Sequence, residues 1–408
     1  MKIRYIDLFA GIGGFRKGFE LACEELNITS ECVLTSEIKK SAIRVYKENY
    51  NNAEVKGDIC SIKSEDIPDF DVLLAGFPCQ SYSLAGSRKG LEDKRGQLFW
   101  EVHRVLKEKQ PIGFILENVE GLVLHNKNKS EEIGKTFSLM LENLKSLNYN
   151  IYWRLLDASE YGVAQARKRV YIIGVRGKEL DLDTIEKENK VVLNDILEQG
   201  LPCVNTSFIS MLLSNYKIEE LEGKAITDKR GGSNNIHSWN IGMRGKVTEK
   251  QKEFLDKLLL ERRKECNRER GIDGSAVSRG NISKFSDITD IELVDLVEKG
   301  YIKRVEIDNK ICYDIKGGKM SFEVNKVLDR NGISPTLVAT DMNRLYVIDG
   351  QSKGLRRLST REGLRLFGYP EDYKIEGTER EISDLLGNTV VVPVISKIAK
   401  ILIKEIEK

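Results

Sequence analysis

A thiol, a carboxyl group and two guanidinium groups stand in this chain where side chains leave the ends of strands. Cys79 lies in the turn Gly76-Phe77-Pro78-Cys79-Gln80-Ser81, directly after the apolar run Phe70 to Ala75. Pro78 fixes its own φ and biases Phe77 away from the helical region, so the run ends there as a strand. A thiol at the carboxyl end of a strand can act as a nucleophile in an open α/β sheet. Taken alone, the same residue reads first as an inert core cysteine. Glu117 follows a second apolar run, Gly113 to Leu116, where poor solvation raises a carboxyl pKa and keeps a proton ready for donation. Arg167 and Arg169, two apart on a strand edge, are expected to point to one side, with Arg167 favouring a Cys79 thiolate. By spacing alone, Arg167-Lys168-Arg169 is a solvated strand end.

A second constellation would hold a ligand. In Asp7-Leu8-Phe9-Ala10-Gly11-Ile12-Gly13-Gly14-Phe15 a strand passes into a helix, and glycines allow a sharp turn and close approach to the main chain. A dinucleotide fingerprint needs a third glycine at position 16, which is Arg16 here, so a nicotinamide site is disfavoured. Glu37, about twenty residues on, suits a carboxylate accepting bonds from ribose hydroxyls. Asp58, after Gly57, suits an adenine amino group. Each acid alone is a solvated loop residue. Together they mark a nucleoside pocket across adjacent strand ends.

Those residues require a scaffold of alternating strands and helices. Ile3 to Phe9, Glu31 to Ser36, a short stretch near Val55, Phe70 to Ala75, Gly113 to Leu116, Asn150 to Asp157 and Arg169 to Arg176 read as strands. Phe15 to Leu26, Lys40 to Asn49, Gln97 to Lys107 and Lys135 to Leu147 read as helices. The rhythm predicts an α/β fold with a doubly wound, mostly parallel sheet. The last strand pair has no helix between its members and predicts an antiparallel edge hairpin. Beyond residue 178 the rhythm breaks into a smaller, irregular α+β region. There Thr248 to Arg263 and Ile291 to Glu298 read as helices, and Tyr301 to Ile307 and Lys310 to Ile315 as a hairpin about Asp308-Asn309. A plain helix-plus-hairpin insertion is preferred to a winged helix. Leu358 to Phe367 and Val390 to Ile406 complete the helices.

Composition excludes several classes. The 408 residues carry a formal net charge of +2, so any nucleic-acid surface is local. No uninterrupted run of about eighteen apolar residues suggests a membrane span. The chain enters its first strand at once, leaving no room for a signal peptide. The cysteines at 23, 32, 60, 79, 203, 266 and 312 form no Cys-x-x-Cys pair, and the 3 histidines are scattered. That pattern argues against disulfides or a metal site and for a reducing cytoplasm.

Taken in order, these motifs resemble the C5-cytosine-specific DNA methyltransferases of bacterial restriction-modification type, from one end of the chain to the other. Phe9-Ala10-Gly11-Ile12-Gly13-Gly14 is similar to the family's adenosylmethionine turn, and Pro78-Cys79-Gln80 to its nucleophile motif. Glu117-Asn118-Val119 and Gln165-Ala166-Arg167-Lys168-Arg169 match the base-recognition and arginine motifs. Arg356-Arg357-Leu358-Ser359-Thr360-Arg361-Glu362 and Gly387-Asn388-Thr389-Val390 match the last two. Small departures are Ile38 where some members have tryptophan, Tyr82 for phenylalanine, and Thr389 for serine.

The resemblance implies a methyltransferase fold with S-adenosyl-L-methionine as cofactor, S-adenosyl-L-homocysteine as product, and no metal. It implies cofactor contacts at Phe9, Gly11, Gly13, Gly14, Glu37, Ile38, Asp58, Ile59, Pro78 and Asn388. Cys79 would add to C6 of a flipped-out cytosine, with Glu117, Arg167 and Arg169 polarising the ring. The loop Ser81 to Gly96 would close as a lid. Double-stranded DNA is the implied partner, with contacts at Gln80, Ser83, Arg95, Thr336, Arg230 and Arg244. A cognate restriction endonuclease would act separately, and the enzyme would be a cytoplasmic monomer. Expected domains are 1–185 with 386–408 for catalysis, 186–361 for target recognition, and 362–385 as a hinge. A tRNA cytosine-5 methyltransferase and a catalytically inactive DNA-binding regulator are the alternatives.

Overall fold

The computed structural model describes residues 2–78, 98–128, 131–267, 276–316, 322–340 and 342–408. Cys79, Gln80, Ser83 and Arg95 lie outside the described residues. The chain divides into two units, one comprising 1–197, 331–342 and 359–408, the other 198–330 and 343–358. The stretches 186–197, 331–342 and 362–385 thus belong with the first unit.

The first unit is built on β1 (Lys2–Leu8), α1 (Gly14–Glu25), β2 (Thr29–Ser36), α2 (Lys40–Asn49), β3 (Val72–Ala75), α3 (Leu98–Lys109) and β4 (Gly113–Val119). A helical turn α4 (Glu120–Val123), α5 (Lys135–Lys145), β5 (Asn150–Asp157) and β6 (Lys168–Val175) follow. The sheet order is β2-β1-β3-β4-β6-β5. The first four of these strands are parallel, whereas β6 runs antiparallel to both β4 and β5. The expected edge hairpin is therefore present. The short strand near Val55 is reduced to a single bridge between Ser36 and Lys56. All four residues of β3 are buried, as a central parallel strand covered on both faces requires. One face of the sheet packs on α3 and α5 through Leu73, Leu116, Phe99, Leu106, Phe137 and Leu144.

The C-terminal helix, Val392–Glu407, starts with a proline in its first turn and packs on α1 and β4. Gly18 and Gly113 allow this approach: a Cβ at either would lie 2.6 Å from Ile395 or 2.8 Å from Leu402. Helical segments within Glu379–Glu407 include an eighteen-residue window apolar enough to cross a membrane, which a search for an uninterrupted apolar run passes over. Of that window, 67% is buried, the pattern of a core helix.

The second unit holds two sheets of short strands. One has the spatial order Leu355–Arg357, Leu345–Ile348, Lys326–Val327, Ala225–Ile226, Asn235–Ile236. The other is an antiparallel sheet in which Lys310–Ile315 lies between Ile302–Ile307 and Val277–Ser278. Around it stand helices Glu249–Glu261, Arg279–Ile282 and Asp290–Glu298. Capping boxes start the first and third of these: Thr248 with Gln251, and Thr289 with Glu292. Asp308 and Asn309, at φ 49° and 59°, form the tight turn of the hairpin. Helix, strand, helix, helix, strand, strand, with the last strand central, is the connectivity of a winged helix, contrary to the plain insertion preferred from sequence. Only the pairing of Val277–Ser278 with the hairpin distinguishes the two, and a two-residue strand has no periodicity to read. The third helix is acidic, and it turns Ile291 (84% exposed) and Val294 (52% exposed) outward.

Candidate active site

Glu117 occupies the part of β4 that runs past its apolar core, and it is 9% exposed. Burial pushes its carboxyl pKa up, while Arg169 and then Arg167 pull it back. Arg169 holds Glu117 directly, Nε to Oε1 at 3.1 Å. A Cβ placed on Gly76, at the end of β3, would lie 3.8 Å from Glu117 Oε2. The carboxyl group therefore faces the start of the cysteine turn. Asn118, beside it, donates to the Phe77 carbonyl at 3.1 Å and so fastens that turn to β4.

Arg167 does something different from what its spacing suggests. It is 3% exposed and donates to the carbonyls of Leu337 (3.0 Å), Gly387 (3.3 Å) and Thr389 (2.8 Å), with its guanidinium 5.1 Å from the Phe367 ring. The expectation that Arg167 and Arg169 share one task is corrected here. Strand β6 begins at Lys168, so Arg167 precedes the ladder and strand alternation does not govern it. Of the two, Arg169 is the ion-pair partner of Glu117. Gln165 reinforces the same junction, accepting from Leu337 N at 3.0 Å and donating to Leu366 O at 2.9 Å. Thr336 donates to the Ala166 carbonyl at 2.6 Å, which sets it on the arginine-motif loop.

The glycine turn lies at the amino end of α1. Phe9 has φ 56°, a left-handed conformation uncommon for an aromatic residue. Gly11 N donates to Glu37 Oε2 at 2.8 Å, and Glu37 Oε1 accepts from Ile38 N and Lys39 N, each at 2.8 Å. Asp58 is exposed and caps the turn that starts at the buried Ile59 by accepting from Cys60 N at 3.0 Å. Ile38 is 71% exposed. Pro78 is half-buried. Asn388 is exposed and donates to Asp384, whose carboxylate pairs with Lys39. The last motif is thereby brought to the turn that follows β2. Asp384 is not singled out by sequence reasoning; the available signal was its place four residues before Asn388 on an acidic helix.

These groups fit S-adenosylmethionine. A Cβ at Gly11 would meet nothing within 4 Å, so the turn is open on that side. Carboxylates stand beside it for hydroxyl and amino groups, and Ile38 offers an uncovered apolar surface.

In the second unit, Arg230 is exposed on the loop 229–235. Arg244 is directed inward, its guanidinium donating to the Gly300 carbonyl while its N–H donates to Tyr301 Oη at 2.9 Å. Arg330 pairs with Glu222 at 2.7 Å. The firmest polar node is Arg356, 1% exposed, with Nε 3.0 Å from Asp349 Oδ2. Asp349 also accepts from Ser352 N at 2.8 Å and Gln351 N at 3.0 Å. Burial alone would raise its pKa; the Ser352 and Arg356 bonds hold it well below the usual carboxylate range.

The sheet order and the glycine turn place the chain in the methyltransferase class of α/β fold. The solved structure of the S. pombe Dnmt2 methyltransferase shares that fold, with a TM-score of 0.54 at 17% identity over 100% of both chains. The family model for C-5 cytosine-specific DNA methylases matches residues 3–404. The type II methyltransferase M.NgoBV of Neisseria gonorrhoeae is 47% identical over 98% of both chains. M.BanI of Aneurinibacillus aneurinilyticus is 39% identical over 98% of this chain and 95% of its own. The chain belongs to the C-5 cytosine-specific DNA methylases: it is a DNA cytosine-5 methyltransferase.

Proposed function

We propose that this enzyme is the modification partner of a type II restriction-modification system, methylating one sequence-defined cytosine in duplex DNA. A cognate endonuclease would act separately on the same sequence, and the methyltransferase would work as a cytoplasmic monomer. The observation that carries the mechanism is the buried Glu117–Arg169 pair at the end of β4, facing the turn that leads to Cys79. Support for the biological setting comes from type II relatives matched over nearly their whole length.

A base inside a duplex cannot reach a strand-end thiol, so the cytosine is turned out of the helix. Cys79 Sγ bonds to C6, the C5=C6 pair shifts to C4=C5, and the C4=N3 pair moves onto N3, which takes the Glu117 proton. Arg169 orients that carboxyl group, and Arg167 holds the arginine-motif loop in place. C5 is now nucleophilic. When bound, S-adenosylmethionine supplies an electrophilic methyl group and leaves as S-adenosylhomocysteine. C4=N3 re-forms as N3 returns its proton to Glu117, and loss of the C5 proton to solvent restores C5=C6 and expels the Cys79 thiolate. Phe9, Gly11, Gly13, Gly14, Glu37, Ile38, Asp58, Ile59, Pro78 and Asn388 would hold the donor. Gln80, Ser83, Arg95, Thr336 and Arg230 would contact the DNA; the inward-facing Arg244 is the weaker candidate. In this division of labour, the second unit, residues 198–330 and 343–358, reads the target.

The test is transfer of a labelled methyl group to duplex DNA, with tRNA alongside. Cys79→Ala is expected to lose roughly a thousandfold or more in turnover; full activity in that variant would refute the mechanism. Mapping methylated positions in DNA from cells expressing the protein identifies the target, and preferential transfer to tRNA would favour the RNA reading.

A further inference from the structure

The glycine turn is open on one side and closed on the other. Gly11 could carry a Cβ without contact, whereas a Cβ on Gly13 (φ 86°) would lie 2.5 Å from Tyr50 Cε2 and one on Gly14 2.6 Å from Tyr369 Oη. The second and third glycines are therefore demanded by aromatic side chains behind the turn, a requirement separate from any ligand in front. Tyr50, at the end of α2, donates to the Gly13 carbonyl at 2.9 Å. Tyr373, from the segment before the last motif, donates to the Ile12 carbonyl. The two rings meet edge-on at 6.4 Å, Tyr46 packs on Tyr50 at 4.6 Å, and Tyr369 packs on Tyr373 at 4.5 Å.

Arg16, which spoils the dinucleotide fingerprint, belongs to this cluster. Its guanidinium lies 4.0 Å from the Tyr50 ring centroid, donates to Tyr46 Oη at 3.2 Å and pairs with Glu20 at 2.8 Å. A cation over the ring face and a salt-bridged neighbour fix the position of Tyr50. Burial raises the pKa of both the Tyr50 and Tyr373 phenols, so they remain protonated donors.

We propose that Tyr50 and Tyr373 are positioning residues for the methyl donor: a pair of phenol donors that set the direction of the glycine turn. In a planar trans peptide, a carbonyl fixed rearward sends the next N–H forward. The Gly13 N–H closes the turn on the Ala10 carbonyl at 2.8 Å, and the Gly14 N–H opens α1, where first-turn amides have no intrahelical acceptor. Losing the Tyr373 phenol would release the Ile12 carbonyl and with it the direction of the Gly13 N–H, whereas the Gly13 carbonyl also accepts from Lys17 N at 2.9 Å and would shift less without Tyr50; either change would weaken donor binding without touching the chemistry at Glu117.

This proposal rests on the reading of the turn as the S-adenosylmethionine site. The test uses the full-length enzyme with Tyr50→Phe, Tyr373→Phe and, as a control, Tyr369→Phe. Tyr369 sits in the same buried cluster but bonds Thr389 Oγ1 (2.5 Å) instead of a turn carbonyl. Readouts are KM and Kd for S-adenosylmethionine, KM for DNA, kcat at saturation, and Tm. Tyr373→Phe should raise the donor Kd roughly five- to tenfold and Tyr50→Phe roughly two- to threefold, with kcat and the KM for DNA near wild type in both. Tyr369→Phe should shift Tm without that rise. Donor affinity equal to wild type in both test variants, with Glu37→Ala abolishing donor binding, overturns the clamp alone. Wild-type donor affinity in Glu37→Ala overturns the site assignment and the clamp with it. An equal loss of donor affinity in all three tyrosine variants reduces the pair to ordinary packing.

Discussion

The two units of this enzyme solve different problems. In the first, four parallel strands and a reversed pair set several polar side chains at the ends of buried strands. Glu117, Asn118 and the glycine turn stand at the ends of strands whose apolar residues are buried. In the second, one five-stranded sheet is made of strands of two to four residues that come from positions as distant as 225 and 357. This unit holds two apolar clusters, one about Trp239, Phe254 and Leu258 and one about Leu212, Leu221 and Tyr346, and between short strands it adds a buried ionic node, Arg356 with Asp349. A strand-end site inherits its geometry from long buried strands, whereas short, dispersed strands leave a larger share of the second unit's geometry to buried ionic bonds.

If that contrast is sound, breaking the node is the most damaging change in the second unit. Arg356→Ala should cost roughly 3–5 kcal/mol by leaving Asp349 buried without its partner. DNA binding should be lost in electrophoretic shift assays, while S-adenosylmethionine binding to the first unit persists. Loss of both together would show that the units do not differ in this way.

Within the first unit, the neighbouring arginines should separate cleanly. Arg167→Ala removes the donor to three buried carbonyls and should lower stability by roughly 3 kcal/mol in urea unfolding. Arg169→Ala should leave stability nearer wild type but reduce kcat roughly a hundredfold. Because Arg169 lowers the Glu117 pKa, its removal should also move the alkaline limb of the kcat–pH profile upward. A limb that stays fixed, or moves down, would remove Glu117 as the proton donor.

Asp7 gives a smaller effect with a defined sign. Burial pushes its carboxyl from an ordinary 3.8 up to about 8, with Arg16 opposing and Glu37 adding to the rise. The folded protein binds a proton that the unfolded chain releases, so this group's contribution is present in acid and declines as pH rises from about 4 to about 8. Asp7→Asn should flatten that decline, which melting curves at pH 5, 6.5 and 8, taken as roughly spaced points across the window, would show. The smallest effects belong to the winged-helix connectivity. Neutralising Asp290 and Glu298 should change DNA affinity less than about threefold, since an acidic helix does not face phosphates. Arg230→Ala should instead weaken binding and reduce the salt slope by about one.

Much of the first unit is legible in sequence because an enclosed parallel strand has to be an apolar run ended by a turn. The runs before Cys79 and Glu117 and the glycines after β1 follow from that rule, and α2 and β5 agree to the residue. The ordered motifs were enough to indicate the family. Tertiary structure decided the rest. It separated Arg167 from Arg169, which strand alternation alone would pair, because one stands just outside the ladder. It showed that Gly13 and Gly14 answer to Tyr50 and Tyr369 behind them, contacts spanning up to hundreds of positions along the chain. It also joined Val277–Ser278 to a distant hairpin, which no local pattern announces. Local propensity and burial are written residue by residue, but a hydrogen-bond partner is chosen only when the chain has folded and brought distant groups into reach.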